Sequence, residues 1–200
     1  NLFFSRIIRG FKSPLTQDKL STLLNLISLI QFKKISLIGL VGELLYIMHD
    51  EEQIHSAIQS WHSGPDDLFD FTFDNYIAEI KSTTSATRKH KLNYRQFSAL
   101  YNNNLLQSYY VSVIINNTHK KHTIKDLIQM IQQNISGPIT TVFMDKLNPY
   151  SDILNDEMRF DIYSSLKSIM KYDVRNLPRF VEPHASVETE NLSFTVDFNK

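Results

Sequence analysis

Residues 69–81, FDFTFDNYIAEIK, decide the reading of this chain. Two β-prone runs flank Asp74-Asn75, a pair suited to a tight turn. Phe69–Phe73 and Tyr76–Lys81 therefore read as two antiparallel strands. With a two-residue turn, Phe73 pairs with Tyr76, Thr72 with Ile77, Phe71 with Ala78 and Asp70 with Glu79. Two carboxylates then face each other, with Cβ atoms roughly 4.5–5.5 Å apart. Like charges so placed are destabilising unless something neutralises them, and a divalent cation bound by oxygen ligands does so. The two-residue period of a strand puts Lys81 on the same face as Glu79. An ammonium there can steady a water or neutralise charge developing on a phosphate. One hairpin thus offers two metal ligands and a cation, the parts needed for metal-assisted hydrolysis of a phosphodiester. The competing reading is an exposed hairpin with scattered charges, because the pattern D-x(8)-E-x-K often arises by chance.

Upstream, ISLIGLVGELLYIM (residues 35–48) predicts a helix that is apolar almost all round, hence largely buried, with Glu43 as its one charge. Gly39 and Gly42 each disfavour a helix by roughly 1 kcal/mol relative to Ala, so close packing is expected at them. An earlier helix is predicted over Leu15–Phe32 from Leu20, Leu23, Leu24, Ile27 and Ile30. A polar stretch and a loop, WHSGPDDL, lie before the hairpin. Asp66 and Asp67 fall too early to face Glu79.

Downstream, a basic loop leads to a short helix over Tyr94–Asn103 and an apolar strand over Tyr109–Ile115 suited to a sheet interior. Thr123 is placed to cap a helix reaching Gln133, and another short helix is expected over Ile139–Leu147. Met158–Tyr163, Ile169–Val174 and Leu192–Phe198 read as strands of a smaller, partly antiparallel C-terminal appendage. The order is that of a mixed α/β core. Its expected organisation is a core over residues 1–137 and an extension over 138–200, packed as one domain.

Apolar residues are 42% of the chain and charged residues 21%, an ordinary globular composition. The formal net charge is zero, so any polyanion partner must be met by local charge. Without cysteine there are no disulfides and no thiolate metal site. No apolar run approaches the roughly 18 residues of a membrane span, and a cytoplasmic location is expected.

The quoted residues resemble the PD-(D/E)XK nuclease superfamily. More narrowly, they resemble the bacterial PD-(D/E)XK motif proteins of restriction and phage defence. The resemblance rests on Gly39-Leu40 with Gly42-Glu43-Leu44, then Trp61, Asp70-Phe71, Glu79-Ile80-Lys81, His90 and Gln96-Phe97, and later Tyr172-Asp173-Val174 and Leu177-Pro178-Arg179. Phe69 stands where the motif has proline, and Phe97 where the family has leucine. The family's usual upstream sequence suggests a truncated chain.

The resemblance implies a restriction-endonuclease-like core, a mixed sheet flanked by helices, and a Mg²⁺-dependent endodeoxyribonuclease, with Mn²⁺ an alternative ion. It assigns the metal to Asp70, Glu79 and Glu43, the water-assisting cation to Lys81, and a supporting role to Gln96. Arg88, Lys89, His90, Lys91 and Arg95 would contact DNA, as would Lys120 and Lys121 in the later cluster with His119 and His122. The His119/His122 spacing by itself reads as loop. Partners implied are DNA and a second copy or other defence subunits. The alternative is a non-catalytic nucleic-acid-binding or assembly subunit that keeps the nuclease fold.

Overall fold

The computed structural model describes residues 37–62, 67–117, 121–178 and 192–199. The expected Leu15–Phe32 helix, the loop residues Ser63–Asp66, and His119, Lys120 and Arg179 lie outside them.

Helix α1 spans Leu37–Met48 and buries Leu40, Val41, Leu44, Leu45 and Ile47, as an apolar helix must. It lies on strand β2 (Tyr76–Thr83), the longer arm of the hairpin. Gly42 sets the approach: a Cβ there would stand 1.7 Å from Ser82 Oγ and 2.9 Å from Ser82 Cβ. Gly42→Ala is therefore expected to destabilise by about 1–3 kcal/mol through overpacking, despite the better helix propensity of Ala. Chemical denaturation checks this, and adding Ser82→Gly should restore most of the loss.

The polar stretch after α1 contains an unexpected helix, α2 (Ile54–Ser60), which buries Ile54, Ala57 and Ile58 at helical spacing. The other arm of the hairpin, β1, is only Phe71–Thr72, and its register matches expectation, with Phe71 opposite Ala78 and Thr72 opposite Ile77. It ends at Phe71 for a local reason. Asp70 Oδ2 accepts the Ile80 amide at 2.7 Å, so a side chain takes the position of a ladder partner.

The expected basic loop holds a strand, β3 (Lys89–Asn93), followed by α3 (Tyr94–Tyr101), whose first amides donate to the Asn93 side chain. Strand β4 (Gln107–Ile114) runs parallel to β2, as its buried apolar character suggests. Thr123 and Asp126 form a reciprocal capping box on α4 (Ile124–Gln133). Helix α5 covers Pro138–Leu147 and leads into a 3-10 turn at Asn148–Tyr150.

Met158–Tyr163 is not a strand. Phe160 makes one isolated bridge with His122, and Asp161 then caps α6 (Ile162–Leu166) by accepting the Ser164 amide at 2.9 Å. Of the two later strands, β5 (Met170–Asp173) joins the main sheet antiparallel to β4, and β6 (Ser193–Asp197) pairs antiparallel with β3.

The main sheet has the order β1-β2-β4-β5, parallel in the centre and antiparallel at both edges. Alternate residues feed two apolar cores. Ala78, Ile80, Val111 and Val113 pack with α1, α4 and α5, while Ile77 and Tyr110 pack with Leu92, Phe97, Leu100 and Phe198. A mixed sheet between helical layers is the α/β class the resemblance implies. Among the described residues, no helix is long and apolar enough to cross a membrane.

Candidate functional site

Strand β2 carries Glu79 and Lys81 two residues apart, and their side chains meet, Lys81 Nζ lying 2.6 Å from Glu79 Oε1. Glu79 is 2% exposed, and its second oxygen, Oε2, is buried without a hydrogen-bond partner among the described residues. Asp70 lies beside this pair, held by its bond to the Ile80 amide. Burial first, then the charges of Glu79 and Glu43, push the Asp70 carboxyl well above the usual carboxylate range, against the opposing pull of Lys81 and the Ile80 amide. Burial alone would lower the Lys81 ammonium, but Glu79 and Asp70 outweigh it and hold the group above its ordinary value. Across the sheet, Tyr110 is in register with Glu79, and its phenol is raised by burial and by Glu79.

Glu43 reaches the same place from α1. Its Oε2 accepts the Trp61 indole N–H at 2.8 Å and lies 3.0 Å from His62 Nε2. The Tyr150 hydroxyl sits 2.8 Å from that same nitrogen, and the Tyr150 ring stacks on Trp61 at 5.9 Å between centroids. Oxygens of Glu43 and Asp70 and a ring nitrogen of His62 all lie within 4.8 Å of one another. The expected ligand Glu79 borders this trio rather than belonging to it.

The donor set fits a divalent cation. Three carboxylates share a mostly buried space with one ammonium, one carboxylate oxygen has no partner, and an imidazole adjoins them.

His62 and Tyr150 are the residues that sequence reasoning missed. Trp61 was a signal beside His62, but no spacing points to Tyr150, which arrives from 88 residues away. Gln96 does not enter the cluster. Its Nε2 donates to the Leu68 carbonyl at 3.0 Å and so steadies the chain just before Asp70.

The basic run divides. Lys89, Lys91 and Arg95 are exposed, whereas Arg88 and His90 turn inward. Arg88 donates to the Ser112 carbonyl and hydroxyl and to the Ser168 carbonyl, and His90 Nε2 lies 2.7 Å from Ser112 Oγ. Lys121 remains exposed, 3.8 Å from Asp161. His122 is tied to α6, its Nδ1 facing the Ile162 amide at 3.4 Å.

Burial, with the charges of Lys81 and Arg88, lowers His90 to about 4. The unfolded chain therefore takes up this proton first as pH falls. Stability present above pH 6.5 is expected to decline by up to about 3 kcal/mol by pH 4. Acid-denaturation curves check this, with His90→Gln flattening that window.

The model of the family described as "Putative PD-(D/E)XK family member, (DUF4420)" matches residues 22–199. The chain belongs to this family. No curated protein and no solved structure matches it. In this PD-(D/E)XK member the fold is nuclease-like.

Proposed function

We propose that the chain is a metal-dependent endonuclease that hydrolyses DNA phosphodiester bonds, of the restriction or phage-defence type, acting in a bacterial cytoplasm. The observation that carries this reading is the meeting of Asp70, Glu79 and Lys81 midway along β2, where Glu79 keeps a buried oxygen without a partner among the described residues. Asp70, Glu79 and Glu43 would hold the ion. Bound Mg²⁺ or Mn²⁺ supplies an activated water and offsets charge on the phosphate.

Lys81, kept charged by its two carboxylate neighbours, donates to the phosphate or to the attacking water. Gln96 acts as a positioning residue by fixing Leu68 ahead of Asp70. Lys89, Lys91 and Arg95 offer exposed cations for the DNA backbone, where such contacts dominate affinity. Pairing of two copies would bring two such centres to the two strands.

Incubation of the protein with supercoiled plasmid and phage DNA tests the proposal. Nicking with Mg²⁺ or Mn²⁺ that stops on chelation is the expected result. Protein that binds neither ion and cuts no DNA would overturn it.

A further inference from the structure

The cluster around Glu43 differs in chemistry from an all-oxygen site. His62 follows Trp61, whose backbone bridges to Phe71, and the His62 amide donates to the Asp70 carbonyl at 2.9 Å. That bond fixes the imidazole beside the Asp70 carboxylate. Glu43 is oriented by the Trp61 indole, and the Tyr150 hydroxyl lies 2.8 Å from His62 Nε2, a contact that an ion bound at this nitrogen would displace. The side chains of His62 and Glu43 are 11% and 13% exposed, so the place is sheltered but reachable from solvent. His62 Nδ1 is buried without a hydrogen-bond partner among the described residues.

The spacing suits one shared ion as well as the hydrogen bond that now joins the pair. Adjacent ligands on an octahedral ion at about 2.1 Å stand about 3.0 Å apart, and His62 Nε2 lies 3.0 Å from Glu43 Oε2. Mg²⁺ prefers oxygen ligands and keeps several waters. Imidazole favours first-row transition ions, and carboxylates still suit Mn²⁺.

We propose that His62 is a nitrogen ligand of the metal centre, shared with Glu43 and Asp70, and that this centre takes a transition ion of the Mn²⁺ class in preference to Mg²⁺. The inference rests on the nuclease reading and adds a ligand and an ion preference to it. The rival account is a plain His62–Glu43 ion pair that takes no part in holding metal.

The test is equilibrium binding of Mn²⁺ and Mg²⁺ by calorimetry, joined to pulsed electron paramagnetic resonance of bound Mn²⁺. Wild type, His62→Gln and Asp70→Asn are compared, with circular dichroism to verify folding. Wild type should bind Mn²⁺ at least about tenfold more tightly than Mg²⁺ and show nitrogen coupling to the ion. His62→Gln should lose the coupling and about 10- to 100-fold in Mn²⁺ affinity, with Mg²⁺ affinity changed less than about threefold.

The wild-type spectrum is decisive even if the variant does not fold. Mn²⁺ bound without nitrogen coupling overturns the assignment of His62. If that binding still disappears in Asp70→Asn, the nuclease reading stands without His62. Absence of binding by either ion in wild type removes both.

Discussion

Asp70→Asn is expected to abolish metal-dependent cleavage, by about 10³-fold or more, while raising the melting temperature of the metal-free protein. Both effects have one origin. The Asp70 carboxyl is raised by burial and by Glu79 and Glu43, so its ionised form is disfavoured in the native state. For a raised carboxyl, the sign is fixed by linkage. Its contribution to stability is complete below the unfolded pKa and is lost as pH rises through the folded one.

The metal-free native state therefore carries the cost of crowded, buried carboxyl groups, and a divalent ion bound among them would offset it. Asparagine keeps an oxygen for the Ile80 amide and removes the charge, so the native state is relieved. The same change deletes a proposed ligand, and loss of several kcal/mol of transition-state stabilisation amounts to the stated factor. Calorimetric melting with and without Mn²⁺ checks the stability arm. Wild type should gain stability with the ion, and the variant should start higher and gain little. A variant that melts below metal-free wild type would contradict the charge argument.

Lys81→Ala is expected to destabilise the metal-free protein by about 3–5 kcal/mol and to cut the cleavage rate by about 10²–10⁴-fold. Glu79 is almost wholly buried, and among the described residues its only hydrogen bond is the 2.6 Å contact with Lys81 Nζ. Deleting the ammonium leaves a buried carboxylate uncompensated beside Asp70. The double variant Glu79→Gln/Lys81→Ala should recover most of the stability and none of the activity, which separates folding from chemistry. Urea denaturation and plasmid nicking under metal saturation are the two readouts. Equal stability of Lys81→Ala and wild type would show that the pair contributes nothing to folding.

The hairpin was legible because strand period and turn length together fix which residues face each other, and the observed register of Phe71 and Thr72 follows that rule. It failed one step further, at Asp70, where the carboxylate satisfies the Ile80 amide and replaces backbone pairing. Such competition between side chain and backbone leaves no periodic trace. Glu43 stood out as the lone charge of an apolar helix. Trp61 was marked only by the resemblance, and His62 and Tyr150 not at all, because the three converge on Glu43 only through the packing of α1 and the 3-10 turn after α5.

The basic run misled as a block, since a charge cluster suggests surface throughout. Read with a period of two, Lys89 and Lys91 alternate with His90 and Leu92, which is the burial pattern of β3. Arg88, just before the strand, turns inward as well. An arginine whose donors meet carbonyls and a hydroxyl inside the protein looks, in sequence, like any other arginine.

Gly42 and Glu43 are consecutive, so the seating depth of α1 and the reach of the Glu43 carboxylate are one mechanical variable. The missing side chain works as a shim of zero thickness. It lets the helix settle onto Ser82, and that settling delivers the next residue to His62 and Asp70. The width of the Glu43–His62–Asp70 cluster is thus gauged by a residue that takes no part in it.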